Sequence, residues 1–225
     1  MTINEIKLDL DRNKRIGLDE AIFCEGKSTD QIVEAINSLG NQRMLLTRLN
    51  KEVFLNLPSA VKTLIDYDDI SRTGIFGDTK NESEKKSVAI VTAGTSDIKV
   101  SRETIRTLKY YGIGCLEIND VGVAGIWRIM ERIDEIRNLS VTIVVAGMDG
   151  ALVSVIGGLV GGIVVGVPTS TGYGASEKGK TALKAMLSSC SPGIAIVNID
   201  NGYGAACVAL RSLRTAELIN NKSKL

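Results

Sequence analysis

Hydrophobic positions follow one rule after residue 87 and another before it. From Val88 onward, short unbroken apolar runs alternate with stretches of helical periodicity. Strands are predicted over 88–92 (VAIVT), 115–118 (CLEI), 141–145 (VTIVV), 163–167 (IVVGV) and 194–197 (IAIV). Helices are predicted over 99–111, 123–137, 151–159, 177–187 and from Ala205. Strands that alternate with helices at this spacing need right-handed crossovers, so the fold class is α/β, a three-layer αβα sandwich on a parallel sheet. The lack of polar alternation within the strands fits burial on both faces.

Before Val88 the pattern is mostly helical. Ile32, Val33, Ile36 and Leu39 recur on one face of 28–39, with Ser28 or Thr29 as N-cap. Residues 8–22 also suggest a helix, weakened at Gly17, and 45–64 is mixed around Pro58. The polar run GDTKNESEKKS at 77–87 reads as a linker. The expected organisation is a small N-terminal helical extension with its linker over 1–86, then a nucleotide-binding α/β domain over 87–225. The low-charge stretch 151–173 is broken by paired glycines and Pro168, and IVVGV within it reads as buried strand, so no membrane span is expected.

Composition narrows the function. A formal net charge of +1 over 225 residues offers no broad basic face for a phosphate backbone, so nucleic acid is not an expected partner. The charged N-terminus MTINEIKLDLDRNKR lacks a signal-peptide core, which points to the cytoplasm. Cysteines stand at 24, 115, 190 and 207 without a C-x-x-C pair, and the chain has no histidine, so a Cys/His zinc site is not expected. Acid–base work then falls to carboxylates, Lys, Tyr or a thiolate.

In an open α/β sheet the ligand lies beyond the carboxyl ends of the strands. Four loops there mix glycine with hydroxyl, amide or carboxylate groups: AGTSD (93–97), AGMDG (146–150), PTSTGYG (168–174) and NIDNGYG (198–204). Glycine admits close backbone approach, and N–H groups and hydroxyls at helix starts suit phosphate or carboxylate. The substrate-facing candidates are Thr95, Ser96 and Asp97 in the first loop and Gly147 and Met148 in the second. The third supplies Thr169, Ser170, Tyr173 and Gly174, and the fourth Asn198, Asp200, Asn201 and Gly202. Asp97 reads equally as a helix cap or a ribose ligand, and Arg102, a turn into the next helix, as a phosphate ligand or a surface ion pair. Asp149 is open as a base, a cap or a metal ligand, and Cys190, in LSSCSPG, as a nucleophile or a structural thiol. No P-loop and no clean G-x-G-x-x-G is present.

The ordered motifs AGTSD, VGVAGI, AGMDGAL, GGL, VPTSTGYGAS, SSCSPG and NIDNGYGAA, with EGKSTDQIVEAI near the N-terminus, resemble the LarB family. That family shares its C-terminal fold, flavodoxin-like and purine-carboxylase-like, with the aminoimidazole ribonucleotide carboxylases and mutases. The resemblance implies carboxylation of the pyridinium ring of nicotinic acid adenine dinucleotide by carbon dioxide, with hydrolysis of its phosphoanhydride. The products would be AMP and pyridinium-3,5-biscarboxylic acid mononucleotide, the first intermediate of the nickel-pincer cofactor. By motif match Cys190 adds covalently to the ring and Asp149 removes the ring proton. The resemblance further implies a homo-octamer and no tightly bound cofactor, with Mg²⁺ as a candidate charge clamp during phosphoanhydride cleavage but no legible ligand set. Two positions depart from the family pattern: Asp149 stands where glutamate is typical, and Trp127 where histidine follows VGVAGI. The competing readings are a purine-type carboxylase or mutase, which relies on a histidine, and a nucleotide-binding module in which Cys190 is inert.

Overall fold

The computed structural model of the protein describes residues 6–40 and 42–222. The chain forms two compact units that meet in sequence between Lys80 and Asn81, within the polar 77–87 run.

In the second unit the elements are β5 (Val88–Thr92), α5 (Ile98–Tyr111), β6 (Cys115–Ile118), α6 (Trp127–Met130), α7 (Ile133–Ile136), β7 (Val141–Ala146), α8 (Ala151–Gly157), β8 (Ile163–Pro168), α9 (Lys180–Leu187), β9 (Ala195–Ile196) and α10 (Gly202–Lys222). They follow eight elements of the first unit, described below. The sheet order is β6-β5-β7-β8-β9, and every pairing is parallel. Its central strands are buried at every position, as the unbroken apolar runs require. One face packs Ala89, Val91, Val144, Ala146 and Val164 against Ile129, Ile136, Val153, Ile156 and Met186 from α6 to α9. On the other face α5 lies along α10, and Thr104 Oγ1 donates to the Gly202 carbonyl at 3.1 Å. The expected helix over 123–137 is instead a short 3₁₀ turn, α6 and α7, because Arg132 (φ −111°, ψ 0°) leaves helical geometry between them. The helix expected from 177 begins only at Lys180, since Glu177 and Lys178 sit in the left-handed region. No helix among the described residues is long and apolar enough to cross a membrane; 151–173 folds as α8 and β8 with their connections.

The first unit departs from the expected helical extension. Its elements are α1 (Arg12–Ile16), β1 (Ala21–Phe23), α2 (Thr29–Asn37), β2 (Met44–Thr47), α3 (Lys51–Leu55), α4 (Ser59–Lys62), β3 (Ile65–Asp68) and β4 (Thr73–Phe76). The strands form a mixed sheet in the order β1-β2-β4-β3, with only β1 and β2 parallel. The helix expected over 8–22 stops after a single turn, where Gly17 turns left-handed (φ 74°). Ala21 and Ile22, at the end of that segment, open β1. In IDYD and TGIF, aspartates and a glycine interrupt the apolar run that marks a strand in sequence, so these strands declare themselves only by pairing. Gly74 shows the constraint, since a Cβ there would lie 2.8 Å from Ile65 Cγ2 on the paired strand. The amphipathic helix α2 forms as its periodicity requires. Ser28 and Gln31 close a reciprocal capping box, and Ile32 and Ile36 are buried with Leu46 and Leu49.

A Cβ at Gly162, the residue before β8, would stand 2.1 Å from the Leu139 carbonyl oxygen and 2.8 Å from that of Ser140. Both obstacles are backbone atoms, so Gly162→Ala is expected to destabilise the second unit by about 1–3 kcal/mol. The urea midpoint measures this; an unchanged midpoint would show that the 139–140 turn yields freely.

Candidate functional site

The chain visits β5, then the edge strand β6, then returns across β5 to β7. The loops after β5 and β7 therefore leave adjacent strands in opposite directions and open a crevice at the carboxyl edge. A cavity of about 940 Å³ occupies it. The loops after β5, β6, β7 and β8 form its walls, with Leu152 of α8 and Thr181 of α9.

Each loop is shaped by a local constraint. After β7, a Cβ at Gly147 would lie 2.6 Å from the Thr171 carbonyl oxygen, so only glycine lets these two loops touch. Met148 follows at φ 53°, and its amide donates to the same oxygen at 2.9 Å. The turn presents Asp149 as an exposed carboxylate whose Oδ1 accepts the Ala151 amide at 3.2 Å. The capping role left open by the sequence is therefore real, and it fixes the carboxylate at the cavity wall without burying it. Asp120, Met148, Glu177, Lys178 and Asp200, all after strand ends, are non-glycine residues at positive φ. Such strain persists only where surrounding structure enforces it.

Asp97 is only 2% exposed and ties the loop after β5 to the loop after β8. Its Oδ2 accepts the Gly94 amide at 3.0 Å and its Oδ1 accepts the Thr169 hydroxyl at 2.7 Å. Burial pushes its carboxyl above the ordinary 3.8, while those two donors oppose the rise.

Ser96, Asp97, Gly147, Met148, Asp149, Tyr173 and Gly174 all line the cavity. Thr169 lies beneath it as the donor to Asp97. Thr95 is exposed on the turn after β5, and Arg102 is exposed on α5; neither lines the cavity. The fourth loop braces the third instead. Asp200 Oδ1 accepts the Ser170 amide at 2.8 Å and the Asp200 amide donates to the Pro168 carbonyl at 2.9 Å. Asn201 Oδ1 caps α10 through the Gly204 amide at 2.7 Å, and Asn198 Oδ1 accepts the Ile199 amide at 2.9 Å. Gly202 is held by close packing, since a Cβ there would meet the Val100 carbonyl oxygen at 2.4 Å.

Cys190 is exposed but does not line the cavity. Its loop precedes β9, so it lies toward the amino edge of the sheet, opposite the strand-end loops. Serines pin this loop to α8: Ser154 Oγ meets Ser189 Oγ at 2.7 Å, and Ser191 Oγ donates to the Ser154 carbonyl at 2.6 Å. The other end of α8 carries Ala151 and Leu152 into the cavity wall, so one short helix has Asp149 at its start and the Cys190 loop along its far half.

Sequence reasoning passed over the loop after β6. Gly122, Val123, Ala124 and Arg128 line the cavity, and the spaced glycines of VGVAGIWR were the available signal. Ser176 was also missed; its hydroxyl is buried at the cavity wall with no hydrogen-bond partner. Among the described residues no group of three or more carboxylate or cysteine side chains is assembled that could hold a metal ion.

Residues 1–80 match the family model described as LarB/PurE-like N-terminal domain, and residues 87–223 match that described as AIR carboxylase. The chain belongs to the LarB family. A Methanocaldococcus jannaschii protein, named as uncharacterized protein MJ0165, shares 40% identity across 91% of this chain and 82% of its own length. A solved PurE2 variant from Treponema denticola matches with a TM-score of 0.42 and 19% identity, over 61% of this chain and 96% of its own. LarB-family membership makes this a carboxylase-type enzyme with an AIR carboxylase C-terminal domain. Trp127 is 61% exposed and takes no place in the cavity wall.

Removing the Thr169 hydroxyl leaves one donor fewer for ionised Asp97, so its carboxyl would rise still further above 3.8. The folded state would then hold that proton to higher pH than the unfolded state, and stability would fall as pH climbs from 3.8 through the raised value. Thr169→Val is expected to cost about 1.5–3 kcal/mol at neutral pH and clearly less near pH 4. Urea unfolding at the two pH values checks this; an equal loss at both would reduce Thr169 to a packing role.

Proposed function

We propose that this LarB-family protein carboxylates the pyridinium ring of nicotinic acid adenine dinucleotide and hydrolyses the phosphoanhydride. It would release AMP and pyridinium-3,5-biscarboxylic acid mononucleotide, the first step of nickel-pincer cofactor synthesis. The observation that carries this reading is a strand-end cavity of about 940 Å³ with Asp149 fixed at its wall, in a LarB-family chain without histidine. A purine-type reaction that relies on histidine has no such group to use.

The chemistry is redox-neutral. The Cys190 thiolate adds to the ring carbon opposite nitrogen, and the displaced electron pair moves to the ring nitrogen. The neighbouring carbon is then enamine-like and forms a bond to carbon dioxide. Asp149 takes the proton from that carbon, the enamine re-forms, and its electrons expel the thiolate as the pyridinium is restored. A thiolate suits this path because it both attacks and leaves readily. Water then cleaves the phosphoanhydride, completing the balance.

Asp149 and Cys190 do not meet within one chain, so in this reading the thiol comes from a neighbouring copy in a homo-oligomer, an octamer by family resemblance. Each α8 would then serve two sites, with Asp149 at its start facing one and the braced Cys190 loop facing the next.

Incubation with nicotinic acid adenine dinucleotide and bicarbonate, followed by mass spectrometry, should show one added carboxyl on the mononucleotide product together with AMP. Asp149→Asn is expected to lower turnover by about 10²–10⁴-fold with binding retained. Cys190→Ser should abolish turnover without loss of fold. Oligomers assembled from both inactive variants should regain up to about a quarter of wild-type activity, since some interfaces recover an intact pair. A verified mixed oligomer that stays inactive would sink donation of the thiol between copies, and normal turnover by Cys190→Ser would sink covalent catalysis.

A further inference from the structure

Tyr173 is an aromatic side chain left in water. It is 81% exposed although it lines the cavity, and among the described residues its hydroxyl has no hydrogen-bond partner and its ring no aromatic neighbour. Met148, half-exposed in the same wall, lies beside the turn that carries it. A Cβ at Gly172 would fall 3.1 Å from Met148 Sδ and 2.5 Å from Ser176 Oγ. Gly172 and Gly174 flank the tyrosine at φ 135° and 54°. A Cβ at Gly174 would meet nothing within 4 Å, so the left-handed backbone, not packing, calls for glycine there. The Ser176 amide donates to the Tyr173 carbonyl at 3.1 Å, which anchors the turn while the ring stays exposed. Apolar surface left uncovered at the rim of a cavity marks a contact for a ligand. Tyrosine makes such a contact at low entropic cost, because only two side-chain torsions have to be fixed.

We propose that Tyr173 stacks on the adenine of the dinucleotide and so holds the AMP half of the substrate at the cavity mouth. The proposal rests on the pyridine-dinucleotide reading of the cavity. A volume of about 940 Å³ stands near the upper end of small-molecule sites, which leaves room for both bases. The wall itself divides them. Ala146 and Leu152 are buried, and with Gly147 and Asp149 they form the stretch that runs from β7 into α8. The reacting pyridinium belongs there, because Asp149 must reach its proton and the ring intermediate needs water excluded. The adenine takes no part in the reaction and needs only a flat apolar face. Tyr173 supplies that face, and the Met148 thioether beside it adds a sulfur contact to an aromatic ring. AMP is also the fragment that departs, and a face at the exposed rim holds it next to solvent.

Calorimetric binding of nicotinic acid adenine dinucleotide and of nicotinic acid mononucleotide to the full-length protein, without bicarbonate, tests this. The mononucleotide keeps the pyridinium and lacks the AMP half. Tyr173→Ala is expected to weaken the dinucleotide by about five- to hundredfold, the range of base stacking on an aromatic side chain, and the mononucleotide by less than about threefold. Tyr173→Phe, which keeps the ring, should bind both within about threefold of wild type. The side chain is exposed, so both variants are expected to keep the wild-type urea midpoint. Equal weakening of both ligands in Tyr173→Ala would assign the ring to the pyridinium and overturn the proposal, as would dinucleotide binding that the substitution leaves unchanged. A smaller oligomer in Tyr173→Ala, read by light scattering, would make the ring a contact between copies and overturn it as well. A wild-type protein that binds neither nucleotide overturns this proposal and the substrate reading together. The expected pattern of binding without carboxylation defeats only the reaction.

Discussion

The reversal of winding at β5 is the constraint on which the rest of the molecule depends. Right-handed crossovers carry the chain from β5 to β6 along one face and back to β7 along the other, so adjacent strand ends release their loops in opposite directions. The crevice is a consequence of topology, present before any side chain is chosen. Side chains then decide its chemistry. Asp97 crosses from the first loop to Thr169 in the third, and Gly147 lets the second loop press against Thr171. Strain at Met148, Glu177, Lys178 and Asp200 is the local counterpart of loops forced together at one edge.

Helix α8 gives the site its unusual economy. Its first turn is capped by Asp149, and its far half is bound through Ser154 to the serines that flank Cys190. The proposed base and the proposed nucleophile are thus tied to one helix, with Asp149 in the cavity wall and Cys190 outside it. Under the proposed assembly, the exposed thiol loop of one copy would complete the cavity of the next. The same helix would then set the distance between neighbouring sites.

Much of the second unit was legible in the sequence. Strand β5 begins and ends where its apolar run does, since a strand buried on both faces must be apolar throughout, and the edge strand β6 keeps its expected bounds with Glu117 exposed. Helix ends were less legible. Arg132 and the Glu177–Lys178 pair break predicted helices through backbone angles that no residue type announces. The first unit misled because AIF is only three residues long and IDYD and TGIF carry Asp or Gly where an unbroken apolar run would have announced a strand.

Residue chemistry followed the same division. The sequence alone determined an α/β sheet with glycine-rich strand ends, the absence of histidine, and Asp149 at a strand-end turn, because periodicity, composition and loop position are local properties. Only the tertiary structure decided which loops share the cavity. It placed NIDNGYG as a brace behind Ser170 outside the cavity wall, and Arg128 within that wall. It also set Cys190 apart from Asp149. Those outcomes depend on strand order and on which edge of the sheet each loop occupies, and pairing between distant segments decides both.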